Sequence, residues 1–172
     1  MNRNYIIAEN DRNGFNNAME LLDRSVGELQ KVTQNIVPEV LINNGLKDAL
    51  AVFCEAIDNT HGISVEFKLS GENRRIDNNT EIALYRAAFE LVYNAVKHSG
   101  ATEIKLGLAF TDDEVCLSAE DNGRGFDLNS LYTFNESGLN SLKKMVNSLN
   151  GIFDISSSRG KGSKVIVEFL VN

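Results

Sequence analysis

The chain has one proline, two cysteines and two histidines among 172 residues, and it contains no signal peptide and no long apolar run. The longest apolar stretches fall well short of the roughly eighteen residues that a membrane span needs, and the start MNRNYIIAENDR lacks the features of a secretory leader. A cytoplasmic location is therefore expected, and any membrane anchor of a longer protein would lie outside this sequence. Cys54 and Cys116 do not have the spacing of a metal site, and two cysteines make no disulfide framework; both are expected to be buried, reduced core residues. Positive charge is also scarce. Seventeen basic residues against 24 acidic ones leave a net charge of -7, which argues against non-specific attraction to nucleic acid or anionic lipid. Internal repeats and low-complexity tracts are absent, as are the G-x-x-x-x-G-K-[ST] phosphate loop and the G-x-G-x-x-G dinucleotide fingerprint.

What is present is enough for one domain with a real core, since 42% of the residues are hydrophobic. Phe15, Ala18, Leu22, Ser25, Leu29, Val32 and Ile36 follow steps of three and four, the seam of a helical bundle or coiled coil, and predict self-association. Pro38 disfavours helix at Val37 and marks a bend. A second helix is expected over Leu46 to Ile57, ending near Asn59-Thr60-His61-Gly62. Ile63, Val65, Phe67 and Leu69 then alternate as a strand, and residues 79 to 98 form a long helix. Ile104 to Phe110 and Val115 to Ala119 read as a hairpin about Thr111-Asp112-Asp113. Leu139 to Leu149 form an amphipathic helix closed by Asn150-Gly151, and two strands, 152–156 and 163–171, finish the chain. Strands in runs of one and two with helices between them predict an α+β two-layer sandwich, a mixed sheet with helices on one face.

Two polar features stand out of this pattern. In the helix over 79–98, Glu90, Asn94, Lys97 and His98 fall within one arc of roughly 100°, while Leu84, Ala88, Leu91, Val92 and Ala95 occupy the opposite one. A solvated face is the ordinary explanation of such a strip. Its chemistry suggests more: carboxylate and amide oxygens suit Mg²⁺, and lysine and histidine suit phosphate. The second feature is EDNGRGF, residues 120–126, at the end of a strand, where Asp-Asn-Gly on its own is common turn chemistry.

Taken in order, E-x-x-x-N (Glu90 to Asn94) running into N-A-V-K-H, D-x-G-x-G (Asp121 to Gly125), Gly138-Leu139 at a helix start and G-x-G-S (Gly160 to Ser163) resemble the ATP-binding catalytic domain of bacterial sensor histidine kinases. That domain belongs to the GHKL group, with the Bergerat-type fold shared with type II topoisomerases and MutL. Residues 45–172 carry the resemblance, and 21–50 are similar to the second dimerisation helix and connector of the short-lid kinases like NarX and DesK. The resemblance implies a partial dimerisation region over 1–40 and a catalytic domain over 41–172. It implies that Asp121 accepts the adenine amino hydrogen, that Gly123, Gly125 and Gly162 let the backbone approach the nucleotide, and that Asn94 holds Mg²⁺. Lys97 and His98 would contact phosphates, Gly138 and Leu139 would open the helix whose amides face phosphate, and Ser163 would stand near the adenine. Glu90 either activates the attacking group or orients the metal site.

Two departures qualify that picture. The expected G-x-G-L reads Glu136-Ser137-Gly138-Leu139, so one phosphate-loop glycine is replaced by an acid and weak nucleotide affinity follows; residues 127–137 make a short lid. Neither His61 nor His98 suits the role of phosphoryl acceptor, so the sequence is expected to be a fragment that does not phosphorylate itself. The implied activity is transfer of the γ-phosphoryl group of Mg·ATP to a histidine elsewhere, for relay to a response regulator, in a homodimeric full-length kinase. The alternatives are a catalytically inactive nucleotide-binding dimerisation module and an anti-sigma-type serine kinase.

Overall fold

The structure, a computed structural model, describes Gly14 and residues 37–128 and 138–171. Two compact units divide the chain, Met1–Ile36 and Val37–Asn172, and the second carries the sheet with its helices. The seam from Phe15 to Ile36 and the lid positions 129–137, Glu136 included, lie outside the described residues.

The elements of the second unit are α1 (Glu39–Asn44), α2 (Leu46–His61), β1 (Ser64–Ser70), α3 (Asn78–Asn94), a π turn (Ala95–Ser99), β2 (Glu103–Phe110), β3 (Glu114–Asp121), α4 (Gly138–Ser148), β4 (Ile152–Ser157) and β5 (Ser163–Leu170). Five strands make one mixed sheet in the order β1-β2-β3-β5-β4. Only β1 and β2 run parallel; the other pairings are antiparallel. The parallel pair needs a crossover, and α3 with its π turn supplies it.

Helices cover one face, as expected from the spacing of apolar residues. Strand alternation sends Ile104, Leu106 and Leu108 of β2, Val115, Leu117 and Ala119 of β3, and Val165, Val167 and Phe169 of β5 inward, where they meet Leu50, Leu84, Leu91, Val92, Leu142 and Val146 from the helices. The opposite face holds polar cross-strand partners: Lys105 stands beside Glu120, and Glu120 beside Lys164. Cys54 is buried as expected, and burial pushes its thiol up to about 12. Cys116 departs from the expectation. Its two strand neighbours, Val115 and Leu117, point into the core, so alternation places Cys116 half-buried on the open face, facing Glu168 across the strand pair.

The local chemistry explains where α3 begins. Asp77 caps it by accepting from the backbone N–H groups of Asn79 (2.8 Å) and Thr80 (3.3 Å). Glu81, in its first turn and almost wholly buried, pairs with Arg75 at 2.9 Å, and Arg75 reaches on to the Ile42 carbonyl. This ties the short helix α1, which periodicity alone did not predict, to the crossover helix. The long helix expected over 79–98 is α-helical only to Asn94 and then widens into the π turn. Asp58 of α2 accepts from the Val65 N–H at 3.0 Å and covers one donor of the edge strand β1.

Candidate functional site: a cleft at the end of the crossover helix

A cavity of about 400 Å³ opens where the end of α3, the π turn, the end of β3 and the start of α4 converge. Its polar lining comes from Asn94, His98, Ser99, Asp121, Arg124 and Ser163. Leu91, Phe126, Leu139, Ile155 and Val165 provide apolar wall. An apolar slot with a few converging polar groups suits a small organic ligand that is apolar in part and polar at one end.

Asp121 reaches the cleft by strand arithmetic. Continuing the inward series Val115, Leu117, Ala119 by two residues places a carboxylate where the core would otherwise receive an apolar side chain. Ser163 is its cross-strand partner on β5 and also faces inward. The carboxylate of Asp121, 8% exposed, accepts from Gly123 N at 2.8 Å and from the Ser163 hydroxyl. Both partners hold it in a fixed orientation and leave further acceptor capacity toward the cleft. Asn122, beside it, faces away and clamps the neighbouring turn. Its Oδ1 accepts from the N–H groups of Thr102 (2.9 Å) and Glu103 (3.1 Å), and its Nδ2 donates to Thr102 Oγ1.

The glycines work by close approach. Gly125 and Gly162 have positive φ, 57° and 72°, and a Cβ on either would collide with backbone oxygens, Ser158 O for Gly125 and Asp121 O for Gly162. Gly162 thus sits behind Asp121 and shapes the cleft without lining it, whereas Gly125 lines it. Gly123 abuts Ser99, and Gly138 at the start of α4 abuts the Glu90 carboxylate so closely that a Cβ there would displace it.

The polar strip of α3 divides at the π turn. Asn94 and His98 line the cleft; Glu90 stands behind Asn94 and accepts from its Nδ2 at 2.8 Å. That bond occupies the amide nitrogen and leaves Oδ1 as the group for a cation. The Lys97 ammonium lies 5.9 Å from the centroid of the Tyr93 ring and Lys97 is not among the lining residues, because the wider turn changes the angular step after Asn94. His98 has its pKa held below the ordinary histidine value, first by burial and then by the charges of Lys97 and Arg124, with Glu90 opposing them. At neutral pH it presents a neutral imidazole with one donor and one acceptor.

Thus the structure brings together Asn94, His98, Asp121, Gly125, Gly138, Leu139 and Ser163, places Glu90, Gly123 and Gly162 directly behind them, and leaves Lys97 outside the lining. The lining residues that the motifs did not single out are chiefly apolar, Leu91, Phe126, Ile155 and Val165, which the sequence offers as ordinary core. Ser99 was also missed as a site residue, and the sequence leaves Arg124 open between turn chemistry, lid contact and phosphate contact. Adjacency to Lys97-His98 and to Gly125 was the available signal.

Among the described residues no group of three or more His, Cys, Asp or Glu side chains could hold a metal ion by itself. A divalent cation fits here only with Asn94 as a protein ligand and with a phosphorylated ligand and water completing the shell, the way Mg²⁺ is usually held beside nucleotides.

The similarities to known proteins agree with this geometry. Two curated Bacillus subtilis (strain 168) proteins are similar to the chain. The signal transduction histidine-protein kinase/phosphatase DegS is 35% identical over 136 residues, covering 76% of this chain and 35% of DegS. The sensor histidine kinase LiaS is 26% identical over 141 residues, covering 82% and 38%. The chain therefore spans little more than a third of the length of these relatives. The histidine kinase ThkA, solved in complex with the response regulator protein TrrA, shares the fold with a TM-score of 0.62 at 18% identity, covering 100% of this chain and 53% of that one. Residues 79–172, the part that contains the whole cleft, match the family described as histidine kinase-, DNA gyrase B- and HSP90-like ATPase, and the chain belongs to that family.

Proposed function

We propose that residues 41–172 are the Mg·ATP-binding catalytic domain of a sensor histidine kinase, with residues 1–40 part of its dimerisation region. The observation that carries this reading is the convergence of Asp121 with Ser163 at one side of an apolar slot and of Asn94, His98 and Arg124 along another. In it, Asp121 accepts from the adenine amino group. Phe126, Ile155 and Val165 enclose the base, and Asn94 Oδ1 faces the metal and phosphates. His98 and Arg124 donate to phosphate oxygens, and Gly138 and Leu139 start the helix whose amides point the same way. Bound Mg²⁺ supplies charge neutralisation between phosphate oxygens.

The reaction forms an N–P bond to an imidazole nitrogen of the acceptor and breaks the bond between the γ-phosphorus and the bridging oxygen, releasing ADP. Glu90, anchored to Asn94, is placed to orient the metal site or the attacking group. The acceptor histidine belongs to a partner helix, because His98 is part of the cleft. The phosphoryl group passes on to an aspartate of a response regulator, and the full-length kinase is a homodimer. Support comes from the named functions of DegS and LiaS and from the ThkA complex. Among the described residues no helix is long and apolar enough to cross a membrane, which accords with a domain working in the cytoplasm.

The test mixes this chain with a protein bearing a histidine on a helical dimerisation hairpin and γ-labelled ATP. Acid-labile label on the histidine is expected, and Asp121→Asn is expected to abolish it. Intact Mg·ADP binding without transfer to any such acceptor would overturn the kinase reading in favour of a nucleotide-binding regulatory module.

A further inference from the structure

Three segments far apart in sequence meet at one backbone. Arg124 N donates to Ser99 O at 2.8 Å, and Arg124 O accepts from Gly160 N at 2.6 Å, so the Asp121 loop is bonded on one side to the π turn and on the other to the β4–β5 hairpin. Ser99 fixes the π turn itself. Its hydroxyl donates to Ala95 O at 2.6 Å and accepts from Ala101 N at 2.9 Å, so one side chain spans the turn from its first residue to the backbone just beyond its end. The contact is tight on the other side as well: a Cβ on Gly123 would lie 2.6 Å from Ser99 O. Ser99 lines the cleft between His98 and Arg124 in the sense that all three belong to its wall.

We propose that Ser99 is a positioning residue, which holds the π turn that presents His98 in register with the loop that presents Asp121 and Arg124. This rests on the adenine-nucleotide reading of the cleft. Asp121 is held separately, by Gly123 N and Ser163 Oγ, so the base-recognising carboxylate does not depend on the Ser99 hydroxyl. The phosphate-facing groups do. Loss of the hydroxyl therefore weakens ligands that span both ends of the cleft and spares ligands that use the base end alone.

The experiment uses the full chain as wild type, Ser99→Ala, Ser99→Thr and Gly123→Ala. Amide hydrogen exchange without nucleotide comes first. In Ser99→Ala the Ala101 amide loses its direct acceptor, and the coupling further predicts faster exchange at Arg124 and Gly160, whose own partners are backbone groups that the substitution leaves in place. Protection retained at Arg124 and Gly160 overturns the coupling, whatever the cleft binds. Titration follows with Mg·ADP and with adenosine. Ser99→Ala is expected to weaken Mg·ADP by roughly five- to tenfold, the worth of one or two hydrogen bonds, with adenosine changed by less than about twofold. Ser99→Thr, which keeps the hydroxyl, restores most of the loss, and Gly123→Ala, which forces the two segments apart, reproduces it. An equal loss for both ligands overturns the positioning role and leaves a structural one. Absence of binding by wild type to either ligand overturns the nucleotide reading instead, and the exchange result still stands or falls by itself.

Discussion

At the scale of single residues the cleft depends on two groups whose behaviour follows from their surroundings. Asp121 is nearly buried and is held by a backbone N–H and a hydroxyl, both neutral donors. Asp121→Asn keeps the shape and replaces an acceptor by a donor where, on the proposed reading, the adenine amino group arrives. Mg·ADP affinity measured by calorimetry is expected to fall at least tenfold, about 1.4 kcal/mol, with little change in melting temperature. His98 begins below its ordinary value because of burial and neighbouring cations. On the proposed reading, phosphate arriving beside it favours the protonated ring, so binding takes up a proton when the pH lies between the free and bound values. Affinity for Mg·ADP is expected to rise as pH falls through the bound value and to level off below the free one; His98→Asn flattens the profile. The sign for folding is opposite. A depressed histidine contributes stability fully above the unfolded value near 6.5, and loses it as pH falls through the folded value. The place of Asp121 in the cleft was legible only through the order of the motifs around it, since its own loop reads as common turn chemistry. The exclusion of Lys97 was not, since nothing in the side-chain pattern of 94–99 distinguishes a step of 100° from the smaller step of a π turn.

At the scale of elements, α3 organises the site from both ends. Its cap, Asp77, has a carboxyl held below the usual range, first by the Thr80 hydroxyl, which desolvation opposes, and then by the Asn79 and Thr80 amides. Asp77→Ala is expected to cost about 1 kcal/mol in chemical denaturation at neutral pH. Because the folded value is the lower one, the wild-type advantage is full above the unfolded value near 3.8 and disappears as pH falls through the folded value, so the two denaturation curves converge in acid. Strand periods were legible in β1 and β2, where apolar and polar residues alternate, whereas β3 and β5 carry Cys116 and Ile166 between core residues and blur the pattern. The short helix α1 was not legible. Six residues carry too little periodicity, and its link to α3 rests on the long-range Arg75 bridge from Ile42 to Glu81. Cys116 shows the same limit from the other side, because its apolar character suggested a core residue while the register of β3 assigned it to the open face.

At the scale of the whole molecule, one apolar layer between the sheet and the four described helices holds the second unit together. Leu84, fully buried in the middle of α3, touches that layer at its centre, and Leu84→Ala is expected to cost about 3 kcal/mol, read from the midpoint of urea unfolding. The net charge of -7 and the paired charges on the open face, Lys164 with Glu120 and Lys105 with Glu103, keep that face hydrated. The facing of Asp121 and Ser163 carries one further consequence. They stand 42 residues apart in sequence, on neighbouring antiparallel strands. During synthesis the aspartate emerges well before its hydroxyl partner, and the glycine behind it, Gly162, arrives only with the last hairpin. A ligand of this cleft therefore has no seat on the growing chain. It would act as a latch on finished molecules, withdrawing them from the unfolding equilibrium by mass action, and would contribute nothing to the earlier steps of assembly.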